Sequence, residues 1–334
     1  MSVSWTLDLF RPEDVAGVVA LYHEIYGDNY HVSSVYDPVK LVNEQEQGDV
    51  YRAVARSASG EIVGHTAYAR SSPPNRGLYE ACQLLVHHDW RGSTLASELT
   101  LFAIEQIPQH YQIKYTWGEA VTNHLFSQRI YTGSGHAETG IELDLLPGDA
   151  MAQAMRGKNQ GRISVVTIFR NYGPPRPQTI YLPAIYNSQL PFLYSGFEHG
   201  HSFINSTNPL PSNRLVRARI DLFTAVAVAR MTFFQLGGDF SACLTDYEAQ
   251  SATAGIRIHQ AFLPLTDPGI GAAVDCLRNR GYFLGSVLPC WYGDDGLLMQ
   301  KLSDEPNIAG TKLFTDRARE ILSLVLADRS NTAK

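Results

Sequence analysis

Between Glu80 and Leu99 the sequence reads Glu-Ala-Cys-Gln-Leu-Leu-Val-His-His-Asp-Trp-Arg-Gly-Ser-Thr-Leu-Ala-Ser-Glu-Leu. An apolar run, a polar turn holding Arg91 and Gly92, and a second run to about Gln106 predict strand, turn and helix. A short turn that feeds a helix leaves the first helical N–H groups unpaired and pointing into the turn. Such a terminus binds anions, and a pyrophosphate suits it. A second constellation lies downstream. Asn123, Ser127 and Tyr131 recur at every fourth position ahead of Gly133 and Gly135, which lines them along one face of a short helix. Glu80 supplies a carboxylate at the start of the strand. Alternation puts Glu80, Cys82, Leu84 and Val86 on one strand face, with Gln83 and Leu85 on the other.

The elements that must position these residues can be read from the chain. Residues 4–10 alternate as a strand, and Arg11-Pro12-Glu13-Asp14 opens a helix with Val15, Val18, Val19, Leu21, Tyr22 and Ile25 on one face. A Tyr- and Asn-rich stretch from Asn29 leads to a short helix near Pro38–Gln47. Strands Tyr51–Ser57 and Ile62–Ser71 follow, joined by a Ser-Ala-Ser-Gly turn. After the opening strand and its helix come a strand at Ile113–Thr122, a short helix capped by Asn123, and strands at 136–146 and 162–171. The Pro-rich stretch Asn171–Gln178 reads as a linker. Beyond it the pattern predicts a strand at Ile180–Ala184 and a helix at Ser188–Gly196, then strands at Arg214–Phe223, Val226–Gln235, Phe240–Asp246 and Ile256–Pro264. A helix at Gly269–Arg280, strands at Tyr282–Pro289 and Gly296–Leu302, and a helix at Thr311–Ala327 complete the chain. The two halves end alike: a strand, a helix that stops at Gly, and more strands.

Length and composition bound the class. The 334 residues fit two domains of ~150 residues, expected at 1–172 and 173–334. An apolar fraction of 44% and a charged fraction of 18% describe a globular protein. A formal net charge of −6 argues against nucleic acid or an anionic membrane as main partner. Four widely spread cysteines with no CxxC pair speak against a disulfide scaffold or a structural zinc site, and a reducing cytoplasm is the expected compartment. The N-terminus lacks a basic n-region and a long apolar run, so it does not read as a signal peptide. No window approaches the ~18 apolar residues of a membrane span.

The turn Arg91-Gly92-Ser93-Thr94-Leu95-Ala96 resembles motif A of the GNAT superfamily of N-acetyltransferases, whose pattern is Arg/Gln-x-x-Gly-x-Gly/Ala. Its ends match; Thr94 stands where the family usually has Gly. Asn123-x-x-x-Ser127-x-x-x-Tyr131 resembles the family's motif B, with Ser127 in place of the commoner Ala. The resemblance covers roughly residues 4–171. It implies an α/β fold, a mixed GNAT-type sheet flanked by helices, and the matching end of the second half suggests two tandem GNAT-like domains, the C-terminal one degenerate. It implies acetyl-CoA as co-substrate, with Arg91, Gly92, Ser93, Thr94, Leu95 and Ala96 around its phosphates, Asn123 and Ser127 also on the cofactor, and the Leu85 or Val86 amide polarising the thioester carbonyl. It further implies Glu80 as general base toward an amine and Tyr131 as the acid that protonates the departing thiolate. A neutral amine, oxyanion stabilisation and a proton for sulfur are what acyl transfer needs.

Other residues have blander readings. Glu80 also reads as a solvated strand end and, less readily, as an amine-recognising carboxylate. Tyr131 reads also as a packed core tyrosine. His87 and His88 lie at the strand exit, His87 near the phosphates; His199-Gly-His201 has no carboxylate at ligand spacing; Asp294-Asp295-Gly296 is a hairpin turn, and no metal site is expected. Glu119 is placed to position an amine, and Tyr26, Tyr30 and Tyr36 fall where an acceptor pocket is shaped. The leading function is N-acyl transfer to a small-molecule or protein amine. The alternatives are a non-catalytic acyl-CoA-binding or interaction protein and a thioester hydrolase or decarboxylase on the same fold. The second half is expected to wall off the acceptor side, to stabilise the first half, or to mediate self-association as a homodimer.

Overall fold

Strand β1 (Trp5–Leu9) pairs antiparallel with β2 (Val50–Ser57), β2 with β3 (Ile62–Ala69), and β3 with β4 (Leu78–Val86). The β2–β3 turn closes where the Ser57 amide donates to the Glu61 carbonyl at 2.9 Å, and Gly60 at φ +88° takes the left-handed position that an L side chain disfavours. The computed structural model describes residues 4–30, 32–148 and 161–332, which form two compact units. The first takes the described part of residues 1–118 with Asn171–Gly173; the second takes the described part of 119–170 and 174–334. Among the described residues no helix is long and apolar enough to cross a membrane.

Helices cover both faces of the first unit's sheet. Helix α1 (Val15–Tyr26) buries Val15, Val18, Leu21 and Tyr22 at i, i+3, i+6 and i+7, packed with Phe10, Val54 and Leu85. Helix α2 (Pro38–Glu46) starts where Asp37 Oδ1 accepts from the Val39 and Lys40 amides at 3.0 and 3.1 Å, with Pro38 in the first turn. Helix α3 (Leu95–Tyr111) lays Leu95, Leu99, Ala103 and Ile107 against Ala53, Ala55, Val63, Tyr79 and Val86. It runs one turn past the expected end at Gln106, through Pro108. Proline has no N–H for the Ile104 carbonyl. The Tyr172 hydroxyl, from the short segment that rejoins this unit, donates to that carbonyl at 3.1 Å instead.

Strand β4 then pairs parallel with β5 (Tyr115–Val121) through Leu78–Tyr115, Tyr79–Thr116 and Glu80–Trp117, where the recorded ladder ends. A parallel pair needs a crossover, and α3 provides it.

In the second unit the strand order is β7 (Ile163–Asn171), β6 (Ala137–Leu146), β13 (Phe283–Leu288), β14 (Gly296–Leu302), β12 (Ile258–Pro264), β11 (Val228–Gln235) and β10 (Arg217–Phe223). A separate parallel pair joins β8 (Thr179–Leu182) to β9 (Ser202–Asn205). Strand β13 meets β6 at Ser286–Gly140, so closely that a Cβ on Gly140 would stand 2.2 Å from that of Ser286. Helices α4 (Phe126–Gly133), α5 (Gln189–Tyr194), α6 (Phe240–Thr253), α7 (Ile270–Arg278) and α8 (Asp316–Thr332) flank these strands. One apolar cluster draws on β6, β7, β11–β14 and helices α5–α8.

The segment Phe240–Asp246, expected as a strand, is the start of helix α6. Phe240 and Leu244 are apolar at i and i+4, a spacing that satisfies both a strand and a helix; buried Ser251 at i+11 shows the helical period. With α6 as crossover, β11 and β12 are parallel, and Val228–Ile258, Ala229–His259 and Arg230–Gln260 repeat the register of Leu78–Tyr115, Tyr79–Thr116 and Glu80–Trp117. The following helices also end alike. The His136 amide donates to the Tyr131 carbonyl at 3.0 Å and the Tyr282 amide to Leu277 at 3.1 Å, each just after a glycine with φ of +81° or +86°.

Candidate functional site

Strand β4 carries Glu80 and leads into the anion-site turn, but its alternation is broken. Gln83 has φ +59°, and the β3 register shifts between His65–Leu85 and Ala67–Cys82. This is a bulge, one extra residue that reverses the facing of all that follows. Leu85 therefore packs with the α1 cluster and Val86 with the α3 cluster. The expected face of Glu80, Cys82, Leu84 and Val86 is corrected: after the bulge Leu85, not Val86, shares the α1 side, and Leu84 is exposed.

Around the bulge lies a buried polar and aromatic group. The Tyr22 hydroxyl donates to Gln83 Oε1 at 3.4 Å and meets His65 Nδ1 at 3.3 Å; that nitrogen also meets the Gln83 carbonyl at 3.3 Å. Burial, with Arg52 adding, lowers the His65 pKa to about 3, so the ring is neutral, and its Nε2 is buried with no hydrogen-bond partner. The Tyr22 and Tyr26 rings pack at a tilt against Tyr30 with ring centroids 5.0 and 4.8 Å away, and the Tyr30 amide donates to the Tyr36 hydroxyl at 3.0 Å. Burial raises the Tyr30 hydroxyl pKa, with Cys82, Tyr26 and Glu80 adding to it. Burial and then Glu80 push the Cys82 thiol up as well, which keeps it protonated and unreactive. Glu80 thus lies close enough to Tyr30 and Cys82 for its charge to act on both.

The turn itself is open. Arg91 to Thr94 are exposed, and Leu95 is fully buried at the head of α3. Gly92 has φ +82°, and a Cβ there would meet no atom within 4 Å. Arg91 Nε donates to the Val86 carbonyl at 3.2 Å and Ser93 Oγ to the Trp90 carbonyl at 2.6 Å, which pin both sides of the glycine. Leu95's amide donates to Ser93 Oγ at 3.3 Å. Among the described residues, the amides of Gly92, Ser93, Thr94 and Ala96 donate to no protein acceptor. Thr94 is in the right-handed helical region at φ −78°, so its position does not demand glycine.

Asn123, Ser127 and Tyr131 belong to the second unit. Helix α4 begins at Phe126 with Leu125 as its cap residue and no side-chain cap bond, so the expected capping by Asn123 does not occur. Asn123 Oδ1 and Ser127 Oγ are instead buried without a hydrogen-bond partner. Buried polar atoms are normally paired. The Tyr131 ring sits edge-on to His136 at 4.9 Å and packs against the unit's apolar cluster. Sequence reading passed over Gln128 on the same helix. Its Nε2 donates to the Val121, His124 and Lys312 carbonyls at 3.1, 3.1 and 2.9 Å, and its Oε1 accepts from the Phe314 amide at 2.9 Å. A glutamine amid an apolar-periodic helix was the visible signal; its partners 184 and 186 residues away were not.

Glu119 is engaged differently from the amine-positioning role expected of it. It accepts from Arg230 Nη2 at 3.1 Å, while Arg230 Nε donates to Gln260 Oε1 at 2.7 Å. Gln260 Nε2 in turn donates to Glu142. Burial, and then Glu119, raise the Glu142 carboxyl to about 8 against the opposing pull of Arg230.

No protein-family model matches the sequence, and no curated protein does. Over about half its length the chain is similar to solved structures. The ribosomal-protein-S5-alanine acetyltransferase of Vibrio fischeri has 10% identity and a TM-score of 0.38, covering 51% of this chain and 96% of that one. An acetyltransferase of the GNAT family from Streptococcus pneumoniae has 15% identity and a TM-score of 0.40, covering 51% and 100%. The N-acetyltransferase of Staphylococcus aureus Mu50 has 14% identity and a TM-score of 0.38, covering 50% and 98%. The likeness is to acetyltransferases.

Proposed function

We propose that the chain is a coenzyme A-dependent N-acyltransferase that uses acetyl-CoA and an amine acceptor. The observation that carries this reading is the open turn after β4. Four amides without protein acceptors, a glycine in the left-handed region and the positive end of a 17-residue helix stand where the sequence motif places a pyrophosphate. A second observation fits the same cofactor: among the described residues the β4–β5 pairing runs only from Leu78–Tyr115 to Glu80–Trp117, so the later part of β4 continues beyond it.

Acetyl-CoA supplies an activated acyl group and a thiolate leaving group; the protein's tasks are proton transfer and charge placement. In this reading Gly92, Ser93, Thr94 and Ala96 hold the phosphates through their amides, with Arg91 and Leu95 shaping the turn. An amide of Leu85 or Val86 polarises the carbonyl. Glu80 accepts a proton from the attacking amine, directly or through water, and Tyr131 donates one to sulfur. Tyr26, Tyr30 and Tyr36 shape the acceptor side. The acceptor is a small-molecule or protein amine.

The second half supports a reading as a degenerate copy, so that 1–172 and 173–334 are two turns of one plan even though packing divides the chain elsewhere. With the two ladders counted from their first pairs and the helices from their closing glycines, Arg230 falls at the place of Glu80 and Leu277 at that of Tyr131, so neither proton-transfer group is kept in that alignment. The β11–β12 ladder continues through Met231–Ala261 and Thr232–Phe262. The turn before α6 is filled by its own chain: a Cβ on Gly237 would stand 2.4 Å from the Leu215 carbonyl carbon, and the Gly238 amide donates to the Arg214 carbonyl at 3.1 Å.

Mass spectrometry of a pooled amine library incubated with acetyl-CoA and the protein tests the activity. Acetylation of at least one amine, dependent on enzyme, is expected. Free thiol released with no acetylated amine would instead indicate hydrolysis, and no turnover at all would indicate a binding protein.

A further inference from the structure

Three side chains from two elements of the first unit converge beside the turn that leads into Arg91. Glu24 Oε1, on α1, lies 2.7 Å from His87 Nε2 and 3.0 Å from His88 Nδ1, and the two imidazoles stack with centroids 4.3 Å apart. We propose that Glu24, His87 and His88 form a binding site for a transition-metal dication of the zinc class. Two imidazoles and one carboxylate select zinc, nickel or copper over magnesium and calcium, which require oxygen donors. Tetrahedral ligands with bonds of about 2.0–2.2 Å stand ~3.4 Å apart. The three atoms lie within 4.8 Å of one another, and the two imidazoles, stacked at 29°, turn about their side-chain bonds so that both ring planes meet at the ion.

The second observation is what stands behind the histidines. A metal-bound imidazole donates its other N–H to a carboxylate or carbonyl that fixes the ring. Asp89 is placed for one ring directly: its Oδ1 is 3.1 Å from His88 Nε2, while its Oδ2 stands 4.0 Å from His87 Nδ1, outside hydrogen-bond distance. Binding moves each ring proton from the nitrogen facing Glu24 to the one facing Asp89, and His87 Nδ1 then gives up its contact with the Asp89 amide at 3.2 Å. The side chains of Glu24 and His88 are 42% and 47% exposed, so the ion has a path in and the fourth position is left to water. The His87 amide donates to the Val63 carbonyl at 2.9 Å, so an ion here ties α1 to the end of β4, just ahead of the open turn. This inference is independent of the acyltransferase reading, because it needs no coenzyme A.

Calorimetric titration of the untagged, metal-stripped chain with Zn²⁺ tests it. One ion per chain is expected, with Glu24→Gln and His88→Gln each weakening binding at least ~10-fold and Asp89→Asn about 10-fold through ring orientation. Both variant side chains are exposed, and melting curves without metal, matching the parent, check that they fold. Absence of zinc uptake, or uptake unchanged in Glu24→Gln and His88→Gln, overturns the site. Binding lost in His88→Gln but untouched in Glu24→Gln and Asp89→Asn also overturns it, since a surface histidine pair would behave so.

Discussion

The Thr94 hydroxyl donates to Glu98 Oε1 at 2.6 Å, and Glu98 Oε2 accepts from Trp5 Nε1 at 2.9 Å. The branched side chain that departs from the family pattern is thus committed to the first turn of α3, while the Thr94 amide has no protein acceptor. The branched side chain is therefore turned away from the amides of the turn. Thr94→Gly is expected to bind coenzyme A at least as tightly as the parent. Its stability should fall by about 1 kcal/mol, the scale of one hydrogen bond, since glycine is itself a tolerable cap residue. Calorimetry and denaturant unfolding read the two effects; markedly weaker binding would show that the turn does not hold phosphate.

Tyr131→Phe should lower turnover by ~10- to 10⁴-fold, the range for general acid–base groups, and leave coenzyme A affinity nearly unchanged. Steady-state rates and a cofactor titration on the same preparation separate the roles. Unaltered turnover would make Tyr131 a packing residue against His136 and the apolar cluster.

Tyr172→Phe removes the hydroxyl that donates to the Ile104 carbonyl left over by Pro108. The expected cost is about 1–2 kcal/mol, the penalty for an unpaired, partly buried carbonyl. Pro108→Ala restores the helical N–H, so in that background the same tyrosine change should cost clearly less. Equal costs in both backgrounds, by urea denaturation, would refute the compensation.

His65 is held neutral in the fold with its pKa lowered from 6.5 to about 3. Between those values the unfolded chain binds a proton that the folded chain does not, so the His65 contribution to stability is lost as pH falls from about 6.5 toward 3, at about 1.4 kcal/mol per unit. His65→Phe should therefore flatten the stability–pH curve in that window relative to the parent. Parallel curves by thermal unfolding at pH 7, 6 and 5 would contradict this.

The order of elements, the open turn and the motif on α4 were legible because each rests on local spacing: apolar alternation, a Gly-containing turn, residues every fourth position. The bulge was not. Nothing about Gln83 announces a positive φ, and one extra residue reversed the facing of Leu85 and Val86. Phe240–Asp246 was misread because i, i+4 spacing fits both periods over five residues. Of the two roles expected of Asn123, cap and cofactor contact, the cap is not made: its Oδ1 is buried and unpaired. The partnerships of Glu119 with Arg230 and of Gln128 with Lys312 and Phe314 span more than a hundred residues, beyond any local pattern.

The account stands most directly on whether the turn Arg91–Ala96 holds a pyrophosphate, and calorimetric titration of the full chain with coenzyme A measures that. One molecule per chain is expected, with affinity lost by at least ~10-fold in Arg91→Glu, where a carboxylate faces the phosphates, and in Gly92→Ala, where a Cβ strains φ +82° and displaces the amides. Failure of the parent to bind, or binding that both variants retain, would contradict it.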